Sequence, residues 1–117
     1  MKETEELIQK LKKFNDERDW GQYHNTKALA ISVAIEAAEL LEKYQWKRND
    51  EEVQKLETEH REEIAEELAD VFIYALNFAS KLGFDITEIV ENKLEKNGKK
   101  YPVDKVKGSS KKYTEYE

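Results

Sequence analysis

Residues 28–46 read ALAISVAIEAAELLEKYQW, from Ala28 to Trp46. This is the most apolar run of a heavily charged chain, and its length and lack of Gly or Pro favour a helix. At about 100° per residue, Ser32, Glu36, Glu39 and Lys43 fall within an arc of roughly 60°. Leu29, Ile31, Val33, Ile35, Leu40, Leu41 and several alanines cover the rest of the surface. A helix apolar nearly all round is buried on most sides, so two glutamates in its middle need a reason.

Residues 62–82, EEIAEELADVFIYALNFASKL, repeat the pattern. Glu63, Glu67, Asp70, Tyr74 and Asn77 share one stripe, while Ile64, Leu68, Val71, Phe72, Ile73, Leu76 and Phe78 cover the remainder. Each apolar helix thus carries an acidic i,i+3 pair on one face, Glu36/Glu39 and Glu67/Asp70. Packed antiparallel with the stripes facing, four carboxylates converge, repel one another and raise their own pKa values. A divalent cation relieves that repulsion, and an all-oxygen ligand set favours Mg²⁺, with Mn²⁺ as substitute, over zinc. The plainer interpretation makes each stripe the thin solvent-facing edge of a core helix. A di-iron bundle also uses carboxylates on facing helices but needs paired Glu-x-x-His motifs. The one such string, Glu57-x-x-His60, lies in a solvated charge run without a twin.

The rest of the chain supports an all-α fold of four helices and a tail. With 117 residues one domain is expected, spanning 1–117. Residues 3–20 give an amphipathic helix with Leu7, Ile8, Leu11 and Phe14 as its stripe. Gly21 breaks it, and Asn25 or Thr26 caps the second helix. Residues 47–63 are almost entirely polar and read as a loop followed by a solvated helical lead-in. The third helix stops at Gly83. Asp85 or Thr87 starts a fourth that ends near Gly98, and Pro102 prevents continuation. About 100–117 form a polar tail. Four Gly and one Pro leave little material for turns, and the absence of Cys excludes disulfides and thiolate chemistry. The net charge of −6 argues against nucleic acid as a partner. There is no signal core or membrane-length apolar run, so a soluble cytoplasmic protein is expected. Helices apolar on this much of their surface also call for association with further copies.

The segments ERDWGQYH, EAAELLEKYQW, EELADVFIY, KLEKNGKKYPV and KGSSKKYTE, in that order along the chain, resemble the MazG-like all-α nucleoside triphosphate pyrophosphohydrolases. The likeness is closer to their dCTP pyrophosphatase branch. It implies a four-helix bundle completed by oligomerisation, as a homodimer or homotetramer. It implies hydrolysis of a nucleoside triphosphate to the monophosphate and pyrophosphate, with Glu36, Glu39, Glu67 and Asp70 holding Mg²⁺. Water would attack the α-phosphorus, with Glu39 as general base and Glu36 beside it in the catalytic set. Lys93, Asn97 and Lys100 share one helical face and match phosphate-binding positions; Lys112 and Tyr113 would close over the phosphates. Trp20, Trp46 and Tyr74 match positions that enclose a pyrimidine, and His24 occupies a family-like position near substrate. The branch has a histidine in its first helix where this chain has Leu11 or Lys12, and EVGEL of the family is EAAEL here. These departures bear on base preference; a pyrimidine deoxynucleotide, dCTP or a modified form, is expected. The rival class is a noncatalytic helical module that binds nucleotides.

Overall fold

The computed structural model describes residues 2–108, and every regular element among them is helical. In chain order they are α1 (Lys2–Glu17), a short 3-10 turn (Gly21–Tyr23), α2 (Thr26–Tyr44), α3 (Asp50–Glu59), α4 (Arg61–Leu82), α5 (Ile86–Lys100) and α6 (Val103–Val106). Two compact units are present, dividing between Gly83 and Phe84. The first holds α1–α4 and the second α5 and α6.

The boundaries follow local chemistry. Asn25 caps α2 by accepting a 2.8 Å hydrogen bond from the Ala28 N–H, and Asp85 caps α5 by accepting from the Glu88 N–H at 3.0 Å. Helix α1 ends at Glu17, short of the expected Trp20. Asp19 there adopts φ 51°, and the Arg18 and Trp20 N–H groups fold back onto the Asn15 carbonyl. Gly83 ends α4 in the left-handed conformation at φ 71°, which costs a residue with a Cβ extra energy. Gly98 does not end α5: the helix passes through it to Lys100 and stops at Tyr101, before Pro102.

The structure contains the four expected helices and adds α3 and α6 among the described residues. Helix α3 forms from the stretch expected to be loop and lead-in. Its Asn49 cap accepts from the Glu52 N–H at 2.9 Å, and Asp50, Glu51 and Glu52 sit favourably in the first turn. Leu56 is buried and anchors α3, which packs against α2 and α4. Two apolar residues, Val53 and Leu56, are too few to show periodicity in a polar sequence.

The centre of the first unit is the α2–α4 pair, with α1 also packed on α4. The pair is antiparallel: Lys43 near the end of α2 meets Glu63 near the start of α4 at 3.5 Å. Its orientation is inside-out. Ser32, Glu36, Glu39 and Lys43 on α2, and Glu67, Asp70, Tyr74 and Asn77 on α4, are all half-buried. Ile31, Ile35 and Leu41 on α2, with Leu68 and Phe72 on α4, are exposed. Glu63, at the start of the α4 stripe, is exposed, but the rest of both acidic stripes is not a solvent-facing edge. Only Leu29, Leu56, Leu76 and Ala79 are buried among the described residues, so a single chain leaves most of its large apolar side chains in contact with water.

The two helix-associated glycines give opposite expectations. Gly83→Ala forces a Cβ into positive φ and should lower stability by about 1 kcal/mol. Gly98→Ala lies inside α5, where the new Cβ meets nothing within 4 Å beyond its chain neighbours and its own helix backbone, and should raise it by roughly 0.5–1 kcal/mol. Urea unfolding followed by circular dichroism checks both signs.

Candidate metal centre

Helices α2 and α4 bring together one oxygen each from Glu36, Glu67 and Asp70, all within 4.8 Å of one another. This is the one such group of metal-ligating side chains among the described residues. The spacing explains it: residues three apart on each helix present the same face, and antiparallel pairing sets the faces against each other. All three side chains are half-buried. Oε2 of Glu36 and Oε2 of Glu67 are fully buried without a hydrogen-bond partner. A buried anionic oxygen without a donor is strongly unfavourable. Two of them within reach of a third carboxylate form a donor set suited to a hard divalent cation.

Glu39 lies beside this group rather than in it. Its carboxyl is held above the usual carboxylate range, chiefly because the Glu36 side chain favours the protonated form; hydrogen bonding from Glu67 opposes this, and repulsion by Glu36 adds to it. The Glu67 carboxyl is also pushed up, first by burial, then by Glu39, with the Lys43 ammonium acting the other way. Lys43 is itself 3.5 Å from Glu63, which also meets His60 Nδ1 at 3.3 Å. One lysine shared in this way leaves the acidic seam largely uncompensated. The Glu57/His60 string is engaged elsewhere: Glu57 Oε2 accepts from the Tyr44 hydroxyl at 2.9 Å, and His60 faces Glu63. Neither residue joins the triad.

The remaining candidates separate along the molecule. Tyr74 lies one turn beyond Asp70 on the same inward stripe of α4. His24 lines a cleft of about 330 Å³ with Lys12, Asn15, Leu29 and Asn77, where the end of α1, the start of α2 and the end of α4 meet. Trp20 stands just before this region, its ring edge-to-face with Phe14 at 5.6 Å between centroids. Trp46 follows α2 and is 79% exposed beside Lys47, Arg48 and Lys55. Since α2 spans 19 residues, or roughly 28 Å, the two tryptophans flank opposite ends of it within one chain and do not form one pocket. Lys93, Asn97 and Lys100 lie on α5, in the second unit, with Asn97 half-buried. Lys112 and Tyr113 lie outside the described residues.

Sequence reasoning did not single out Asn15. Its Nδ2 donates to Asn77 Oδ1 at 3.3 Å, linking α1 to α4. The available signal was an amide four residues after Leu11, where the apolar stripe of α1 would otherwise continue.

The chain is similar to dCTP pyrophosphatase 1 of Rattus norvegicus and of Homo sapiens, in each case 37% identical over 103 residues and 87% of this chain. It spans 61% of the length of these curated relatives. It is also similar to the crystal structure of a pyrophosphatase from Archaeoglobus fulgidus, with a TM-score of 0.81 and 44% identity over 84% of this chain and 91% of that one. The MazG-like family model matches residues 31–116, a span that contains all four seam carboxylates, and the chain belongs to the MazG-like family.

Proposed function

We propose that the protein is a Mg²⁺-dependent nucleoside triphosphate pyrophosphohydrolase. It would release the monophosphate and pyrophosphate from a pyrimidine deoxynucleoside triphosphate, dCTP or a modified form. The observation that carries this reading is the pair of donor-less buried oxygens of Glu36 and Glu67 beside Asp70. The names of its relatives supply the substrate class.

Glu36, Glu67 and Asp70 would hold the cation, Mg²⁺ or Mn²⁺. A divalent cation bound there supplies charge neutralisation at phosphate oxygens and lowers the pKa of a coordinated water. Glu39 is the group best suited to take the proton from the attacking water. It stands beside the triad, and a carboxyl raised toward the working pH is a more effective base. Because water attacks the α-phosphorus, pyrophosphate leaves intact. Lys93, Asn97 and Lys100 would bind the phosphates, with Lys112 and Tyr113 covering them. Tyr74, Trp20 and His24 would border the base. Trp46, at the opposite end of α2, would do so in a second copy's site. The exposed apolar side chains of α2 and α4 suit a homodimer or homotetramer, since fully burying each is worth roughly 1.5–3 kcal/mol. Residues 1–117 would form one catalytic domain, acting in the cytoplasm on a free nucleotide.

Incubation with a panel of deoxynucleoside triphosphates and Mg²⁺ should yield monophosphate and pyrophosphate. No turnover of any of them, or orthophosphate as first product, would sink the reading. Glu36→Gln and Asp70→Asn should reduce turnover to background with helix content unchanged. Glu39→Gln should lower kcat roughly 10²–10⁴-fold with a smaller effect on KM. Size-exclusion chromatography should show an oligomer, and a stable monomer would contradict the assembly.

The raised Glu39 and Glu67 carboxyls give a pH signature. Both hold protons in the fold at pH values where the unfolded chain has released them. The metal-free fold is therefore favoured at mildly acid pH and loses that contribution as pH rises through the folded pKa values. Mg²⁺ must displace those protons, so the rise in Tm on adding Mg²⁺ should grow between about pH 5 and about pH 8. A Mg²⁺ effect equal at both ends, or larger in acid, would contradict this.

A further inference from the structure

We propose that the Asn15–Asn77 carboxamide pair reads the hydrogen-bonding edge of the nucleotide base, making these two side chains specificity-determining residues. The inference rests on the nucleotide reading above and adds the group that discriminates among bases.

Asn77 lies on the same inward stripe as Asp70 and Tyr74, two helical turns or roughly 10 Å beyond Asp70. A nucleotide whose phosphates sit at the acidic triad, and which lies along this stripe, passes Tyr74 and brings its base toward Asn77. The cleft at that end is lined by Asn15, Asn77, His24, Ser80 and Leu29, with the charged Lys12, Asp16 and Lys81 also on its wall. Its volume of about 330 Å³ lies at the small end of the ligand-site range. A compact base suits it better than a whole nucleotide does.

The two amides fix each other. Asn15 Nδ2 donates to Asn77 Oδ1 at 3.3 Å, and the Asn15 backbone is pinned separately, its carbonyl accepting from the Arg18 and Trp20 N–H groups. Asn15 Oδ1 and Asn77 Nδ2 make no further hydrogen bond among the described residues, and both side chains line the cleft. The pair therefore presents one carbonyl oxygen and one amino group. Turning both amides over exchanges which residue supplies which, but leaves the same two functions. The edges of cytosine and thymine each carry a donor beside an acceptor and complement that array; adenine carries such a pair too, so the small cleft disfavours the purine while the amides hold the pyrimidine edge. A pair needed only to dock α1 on α4 would be served equally well by two apolar side chains, without unused polar atoms in a cleft.

Two variants test this with two readouts. Calorimetric binding of deoxycytidine, thymidine and deoxyadenosine monophosphates needs no turnover; kcat/KM for the corresponding triphosphates is the second measurement. The wild type should prefer a pyrimidine. Asn15→Ala with Asn77→Ala should weaken binding of the preferred base roughly 10- to 100-fold, the loss of two hydrogen bonds, chiefly through KM. The poorest base should change little. Asn77→Asp keeps the shape and accepts from Asn15, but then only acceptors face the cleft. The selectivity should swing about tenfold toward cytosine, which presents an exocyclic amine, and away from thymine, which presents a carbonyl. A docking role would lower binding of all bases alike. Absence of base-dependent binding in the wild type, or ratios unchanged within twofold in both variants, overturns the proposal. Base-dependent binding without turnover would uphold it while removing the hydrolase reading. Turnover with unmoved ratios would do the reverse.

Discussion

The constraint on which the rest of the structure depends is the repulsion among carboxylates confined to the α2–α4 seam. Glu36, Glu67 and Asp70 present oxygens within 4.8 Å of one another, and two of those side chains have a buried oxygen without a donor. Glu39 adds a fourth acid, and Lys43 answers only in part, because it also faces Glu63. A seam of this kind is a poor source of stability. Buried charge of one sign opposes folding through both desolvation and repulsion. The fold must tolerate it through rigid flanking structure. The long uninterrupted helices α2 and α4, capped by Asn25 at one start and Gly83 at one end, provide that structure.

The same seam separates the acids by role. The triad shares a tight space, whereas Glu39 stands next to it with its carboxyl raised mainly by Glu36. A group that shares its environment with ligands, yet is not one of the closest three, can keep its protonation responsive. This division depends on side-chain placement and not on helical face, since Glu36 and Glu39 occupy the same face.

That distinction marks the limit of what the sequence could reveal. The α2 and α4 helices were legible because both are long and apolar. The acidic seam was legible because two stripes of matching spacing make sense only when set against each other. Helix α3 was not legible: Leu56 is its one buried residue, and a single anchor leaves no period to detect. Gly98 misled as a stop because glycine inside a helix and glycine after one look alike in a sequence. The conformation decides, and only Gly83 of the two adopts positive φ. Asn15 gave only a faint signal, for a different reason. An amide on an amphipathic helix normally faces water, and its pairing with Asn77 arises from tertiary packing of residues 62 positions apart.

Placing polar side chains in the seam has a consequence on the other side of the same helices. A helix has one circumference, so part of the apolar surface of α2 and α4 turns outward when the stripes turn in, although Leu29, Leu76 and Ala79 stay buried. Ile31, Ile35 and Leu41, with Leu68 and Phe72, are exposed for this reason. Exposed faces of this kind on both central helices are unfavourable in isolation, and covering them would return the stability that the acidic seam withholds. The site and the assembly are thus two results of one choice of helix orientation. A change that relieved the repulsion, such as neutralising an acid, would ease the seam without altering the outer face. A change that made the outer face polar would leave the carboxylates in place but remove the surface able to offset them. The physical argument therefore couples the acidic centre to association through the helices that carry both, even though no residue of the outer face belongs to the triad.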